Sequence, residues 1–128
     1  MKYLLDTQLL VWGAAEPERF SPLARELLIA NFPELWFSVA SVWEIAIKFH
    51  RERRALDLDP RALREGLINR GYRELCVGGA HALGTLALPP IHKDPIDRML
   101  VAQATVERIT LLTTDAVVAQ YPGPIELV

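Results

Sequence analysis

Short apolar runs alternate with helical segments along this whole chain, and that alternation constrains the fold more than any single motif. Residues 2–5, 35–39, 74–77, 109–113 and 125–128 read as strands, the last as an edge. Between them lie helical stretches. One covers residues 8–14. Another starts at Ser21-Pro22, with Leu23, Leu27, Leu28 and Phe32 as its stripe. A third runs from Ser41 and carries Trp43, Ile45, Ala46, Ile47 and Phe49. A fourth is capped by Asp59-Pro60 and stopped at Gly71, and a fifth covers residues 80–88. A helix then runs from Asp94-Pro95 to Arg108, and a short one follows Asp115 as far as Tyr121. Strands separated by helices predict an α/β protein with a parallel sheet and right-handed crossovers. The 128 residues fit one domain spanning positions 1–128, and 51% hydrophobic residues are enough for a core.

Composition narrows the function. A net charge of −2 and a pI near 5.9 argue against a protein that coats nucleic acid by bulk charge. The single cysteine, Cys76, excludes an intramolecular disulfide and reads as a small core residue in a reducing compartment. The apolar N-terminus is interrupted by Asp6, and no window reaches the roughly 18 apolar residues of a membrane span, so a soluble cytoplasmic protein is expected.

The chain has 16 acidic residues, so their positions matter more than their number. Asp6 and Asp115 stand at the C-terminal ends of the first and fourth strands. Glu44 is placed in the first turn of the helix after the second strand, and so at the same edge. Asp97 opens the helix leading into the fourth strand, and that helix runs antiparallel to it, so its N-terminus returns there too. In open α/β sheets this edge is where ligands bind. Gathered carboxylates repel unless a cation compensates, and no basic residue accompanies Asp6 or Asp115 in sequence. Carboxylate oxygens suit Mg²⁺ or Mn²⁺, and one or two such ions, roughly 4 Å apart if paired, promote phosphodiester hydrolysis.

Each acid also has a plainer role. Asp94-Pro95 reads as an N-cap with Asp97 at the third helical position, Ser41-x-x-Glu44 as a capping box, and Asp115 as a further cap. Glu44 and Lys48 form an i,i+4 pair worth about 0.2–0.5 kcal/mol. Asp6 is the hardest to explain by structure alone. Arg98 and Lys93 flank the acidic head and are placed to meet a substrate phosphate. The basic run KFHRERR, residues 48–54, reads as a solvated helix end or a phosphate-tracking patch. His81 and His92 show no zinc-type spacing and are not read as ligands. Trp12, Trp36 and Trp43 read as core or dimer-interface residues.

Four blocks, LLDTQLLVW, SVASVWEIAIK, HKDPIDRMLVAQA and LLTTDAVVAQY, in that order from Leu4 to Tyr121, resemble the PIN-domain ribonuclease toxins of VapBC-type toxin–antitoxin systems. The resemblance implies a three-layer α/β/α PIN-like domain with a five-stranded parallel sheet in the order 3-2-1-4-5. It implies a Mg²⁺- or Mn²⁺-dependent endoribonuclease acting on RNA, a homodimer that can enter a larger toxin–antitoxin assembly, and a cognate antitoxin. It assigns the metal and catalytic positions to Asp6, Glu44, Asp97 and Asp115, a secondary acid to Asp94, and neighbouring hydroxyls to Thr7 and Thr114. The segment from Arg51 to Arg73 matches nothing in the family pattern. A receiver domain would want paired acids at the end of the first strand, and an aspartyl phosphatase a second Asp where Gln8 stands. The stronger rival is a non-catalytic PIN-like binding module whose acids hold a structural ion or an antitoxin's basic segment.

Overall fold

The computed structural model describes residues 1–29, 34–51 and 58–128. Its strands are β1 (Lys2–Leu5), β2 (Glu34–Ser38), β3 (Arg73–Leu75), β4 (Thr110–Thr113) and β5 (Ile125–Leu127). They form one parallel sheet in the order β3-β2-β1-β4-β5, as the alternation and the resemblance led one to expect. The helices are α1 (Thr7–Ala15), α2 (Pro22–Ile29), α3 (Val39–Arg51), α4 (Pro60–Asn69), α5 (Gly79–Gly84) and α6 (Pro95–Glu107).

β1 occupies the middle of the sheet and is apolar on both faces, which a doubly covered parallel strand requires. Tyr3 and Leu5 join Phe37 and Leu112 on one face, where Leu9 and Leu10 of α1, Ile45 of α3 and Leu63 and Leu67 of α4 cover them. Leu4 and Leu111 face the other way, onto Leu100, Val101 and Ala104 of α6, with Val118 and Tyr121 beside them. These two clusters make the three-layer α/β/α sandwich. Each fully buried leucine contributes about 1.5–3 kcal/mol. α6 also carries a buried polar residue, Gln103. It accepts a hydrogen bond from Ser38 Oγ at 2.6 Å and donates to the Cys76 carbonyl at 3.3 Å. One side chain thus ties the ends of β2 and β3 to α6.

Several boundaries differ from the sequence reading, each for a local reason. α3 begins at Val39, because Ser38 Oγ accepts from the Ala40 N–H at 3.0 Å. Ser41 is therefore inside the helix, where its buried hydroxyl accepts from Thr7 Oγ1 at 2.9 Å. The Ser41–Glu44 capping box does not form, and Glu44 moves to the second turn. The edge strand β3 stops at Leu75, so Cys76 is exposed rather than in the core. Thr85 Oγ1 back-bonds to the Ala82 carbonyl at 2.7 Å, and α5 ends in a 3₁₀ turn, Thr85–Ala87. After β4, Asp115 Oδ1 accepts from the Val117 N–H at 2.8 Å, and only a 3₁₀ turn, Val118–Gln120, follows. The chain then turns through Gly123, at φ 139, where a Cβ would stand 3.1 Å from Thr105 Oγ1. Phe32 and residues 52–54 of the basic run lie outside the described residues. Among those described, no helix is long and apolar enough to cross a membrane.

Candidate metal centre

The site is assembled at the C-terminal edge of the sheet, and Asp6 is its first fixed point. The parallel register puts Leu5 beside Leu112, so the Asp6 N–H donates to the Leu112 carbonyl at 3.0 Å. Both oxygens of its carboxylate accept hydrogen bonds. Oδ1 caps α1 by accepting from the Leu9 N–H at 2.9 Å. Oδ2 accepts from Thr113 Oγ1 at 2.8 Å and from the Thr114 N–H at 3.0 Å. Thr113 Oγ1 in turn accepts from the Asp115 N–H at 3.1 Å. The partner that the sequence reading did not find for Asp6 is this set of donors. An aspartate immediately before an apolar helix is an N-cap signature, and Thr113 lies level with Asp6 on the neighbouring strand. Burial pushes the Asp6 carboxyl above its ordinary value of 3.8, although the Leu9, Thr114 and Thr113 hydrogen bonds pull the other way.

α6 delivers the second fixed point. Asp94 is its N-cap, accepting from the Ile96 and Asp97 N–H groups at 2.8 and 3.4 Å. Pro95 occupies the first helical position, and Asp97 follows one turn along the acidic end. Burial raises the Asp97 carboxyl from 3.8 to about 7, reinforced by Asp94, Glu44 and Asp115 and opposed by His92. Glu44 reaches over from α3 with Lys48 Nζ 3.5 Å away.

A cavity of about 620 Å³ collects these groups. Asp6, Glu44, Asp94, Asp97 and Asp115 line it, together with Thr7, Thr114 and Lys48. The two residues assigned to a phosphate do not line it. Lys93 is exposed on the loop before α6. Arg98 turns away, and its guanidinium donates to the carbonyls of Pro89, Thr85 and Leu88 at 3.0, 3.1 and 3.4 Å and to Tyr121 Oη at 3.1 Å. The guanidinium's planar fork of N–H donors suits that clustered set of oxygens. Arg98 therefore fastens the loop before α6, and among the described residues Lys48 is the cation that lines the cavity.

His92, passed over in the sequence for want of ligand spacing, stands beside two of the acids. Its Nε2 lies 3.6 Å from Asp97 Oδ2 and 3.7 Å from Asp115 Oδ2. One potential ligand atom from each of these three residues falls within 4.8 Å of the others. The available signal was position: His92 lies two residues before the N-cap and so wraps to the same helix end as Asp97. The donor chemistry fits a hard divalent cation. Carboxylates dominate it, and a bound cation would relieve both the cost of burial that chiefly raises Asp97 and the repulsion that adds to it.

The raised carboxyls have a consequence for stability. Between pH 4 and 7 the folded, cation-free protein keeps a proton on Asp97 that the unfolded chain has released, and Asp6 acts in the same direction. The stabilisation from that proton is full below pH 4 and is lost as pH rises through about 7. Asp97→Asn is therefore expected to raise cation-free stability at pH 7.5 by roughly 1–3 kcal/mol and to have little effect at pH 4. Asp6→Asn strands at least one N–H donor and is expected to lose roughly 1–3 kcal/mol at both. Denaturant unfolding at the two pH values checks both; an Asp97→Asn protein less stable than wild type at pH 7.5 contradicts the electrostatic account.

Comparison with known proteins places this geometry. A domain model described as PIN domain matches residues 3–124. The fold is similar to that of VapBC2 from Rickettsia felis bound to a DNA fragment from their promoter, with a TM-score of 0.73 at 15% identity over 99% of this chain and 98% of that one. A DNA-bound VapBC from Salmonella typhimurium gives 0.72 at 21% identity, covering 98% and 97%. A toxin–antitoxin complex from Klebsiella pneumoniae gives 0.67 at 19%, covering 97% and 95%. No curated protein sequence matches. The domain match spans four of the five strands, β1 from Tyr3 through β4, and every acid of the cavity, and the chain belongs to the PIN-domain family.

Proposed function

We propose that this chain is a metal-dependent endoribonuclease, the toxin of a type II toxin–antitoxin pair acting in the cytoplasm. The observation that carries the reading is the cavity at the strand ends, where five carboxylates converge and Asp97 is raised to about 7. Membership of the PIN family and likeness to structures of toxin–antitoxin complexes support it.

Asp97 and Asp115 are the residues that would hold Mg²⁺ or Mn²⁺ most directly, with Asp6, Glu44 and Asp94 completing one or two positions themselves or through water. Such an ion supplies Lewis acidity, acidifying water for attack and offsetting charge on the phosphoryl oxygens. The chain's own residues do the positioning. Thr113 and the Thr114 N–H fix the Asp6 carboxylate, and Thr113 Oγ1 holds the Asp115 backbone. The Thr7–Ser41 bond sets α1 against α3 and so places Glu44 beside the cavity. Lys48, on the rim, is the cation that meets the RNA phosphate in this reading.

Two apolar surfaces serve the protein partners. A shallow depression of about 300 Å³ lies between α3 and α6, lined by Trp43, Ala40, Val77, Ile96 and Met99. Trp43 is 62% exposed there, an uncommon position for so large an apolar side chain. It is the proposed homodimer face. A groove of about 380 Å³, lined by Leu9, Leu10, Phe20, Leu28, Leu63 and Leu67, is the proposed seat of an antitoxin helix. A small gene immediately upstream whose product co-purifies with this chain supports that assignment; one that fails to bind contradicts it.

The decisive assay incubates purified protein with RNA in Mg²⁺, in Mn²⁺ and in EDTA. Cleavage in either ion and its loss in chelator are expected. Asp97→Asn should lower the rate roughly 100-fold or more with an unchanged circular dichroism spectrum. Intact RNA under both ions favours the rival binding module instead. Trp43→Glu is expected to convert a dimer into a monomer by light scattering without unfolding it, and an unaltered dimer rejects that face.

A further inference from the structure

The imidazole of His92 stands within reach of two acids, yet its surroundings fix which atoms it can offer them. Its Nδ1 accepts a hydrogen bond from the Asp94 N–H at 3.0 Å. A backbone N–H can only donate, so Nδ1 carries no hydrogen and the neutral ring bears its hydrogen on Nε2. Nε2 is the atom that faces Asp97 and Asp115, at 3.6 and 3.7 Å. It therefore presents an N–H to the carboxylates, not a lone pair to a cation.

The ring is also held from behind. The His92 N–H donates to Tyr121 Oη at 2.8 Å, and the Tyr121 hydroxyl donates back to the His92 carbonyl at 3.0 Å. Arg98 braces the same hydroxyl and the carbonyls of the loop that leads to His92. Tyr121 is buried, at 3% exposure. Backbone and side chain are thus both constrained, unlike an ordinary surface histidine. His92 is not among the residues that line the cavity, although its Nε2 lies 3.6 and 3.7 Å from Asp97 and Asp115, which do.

We propose that His92 is a positioning residue and not a metal ligand. Its Nε2–H, set by the Asp94 N–H, lies evenly between the Asp97 and Asp115 carboxylates and steers both towards the cavity. The distances exceed a direct hydrogen bond, and the N–H acts on both oxygens as an oriented dipole or through one bridging water. The consequence is a site that stays oxygen-only despite a histidine beside two of its acids, which favours Mg²⁺ or Mn²⁺ over zinc. The proposal rests on the metal reading above and assigns His92 its part in it.

Three measurements on the full chain, none involving RNA, test it. Long-range ¹H–¹⁵N spectra of the imidazoles should show His92 with hydrogen on Nε2 and a bare Nδ1; the opposite tautomer overturns the proposal. Electron spin echo spectra of the Mn²⁺-loaded protein should lack the ¹⁴N coupling of a coordinated imidazole, and its presence overturns the proposal. His92→Phe should weaken Mn²⁺ binding roughly 10-fold, whereas His92→Gln, which restores a donor near the Nε2 position, should stay within about threefold of wild type. A folded His92→Phe protein with wild-type affinity rejects the positioning role alone. A wild-type protein that binds no Mn²⁺ rejects the metal reading itself.

Discussion

The carboxylate of Asp6 holds three segments of this molecule together. Its two oxygens accept from the first turn of α1, from the Thr113 hydroxyl at the end of β4 and from the Thr114 backbone. β1 and β4 are neighbours at the middle of the sheet, where chain order reverses and the crossovers open a crevice. Satisfying one buried acid there fixes the helix entry, the strand ends and, through Thr113, the backbone of Asp115. Asp6, Thr114 and Asp115, joined by this node, line the cavity.

The same edge concentrates negative charge beyond what the described residues offset. Lys48 pairs with Glu44, and the Nε2–H of His92 faces Asp97 and Asp115, but burial, reinforced by Asp94, Glu44 and Asp115, still raises Asp97 to about 7. Asp97 heads the same stripe of α6 that packs Leu100, Val101 and Ala104 against the sheet, so it cannot retreat from its neighbours. An arrangement that lowers the stability of the cation-free fold is what a site shaped for an ion looks like, and perturbed carboxyls in a cleft are characteristic of working sites.

Much of this was legible from residue order. The apolar runs gave the strands, and the rule that a helix entering a parallel strand runs antiparallel to it placed Asp97 at the same edge as Asp6, Glu44 and Asp115. What escaped depended on contacts distant in sequence. Thr113 meets Asp6 only because β1 and β4 pair in one register. Ser38, not Ser41, caps α3, because Ser41 is taken into the core by Thr7. Arg98 is adjacent to the acids in sequence but one helical step turns it towards the carbonyls of Thr85, Leu88 and Pro89. Cys76 looked apolar by its neighbours, yet the sheet ends at Leu75 and leaves it exposed. His92 carried no spacing motif, since its partners arrive from two other elements.

The central claim is that these carboxylates form one divalent-cation site whose charge is uncompensated without the ion. The most direct measurement is the ¹³C carboxyl titration of Asp97, with and without Mg²⁺. The account predicts a midpoint near 7 in the cation-free protein and a marked fall when Mg²⁺ is added. A midpoint close to the ordinary 3.8, unmoved by Mg²⁺, would contradict it.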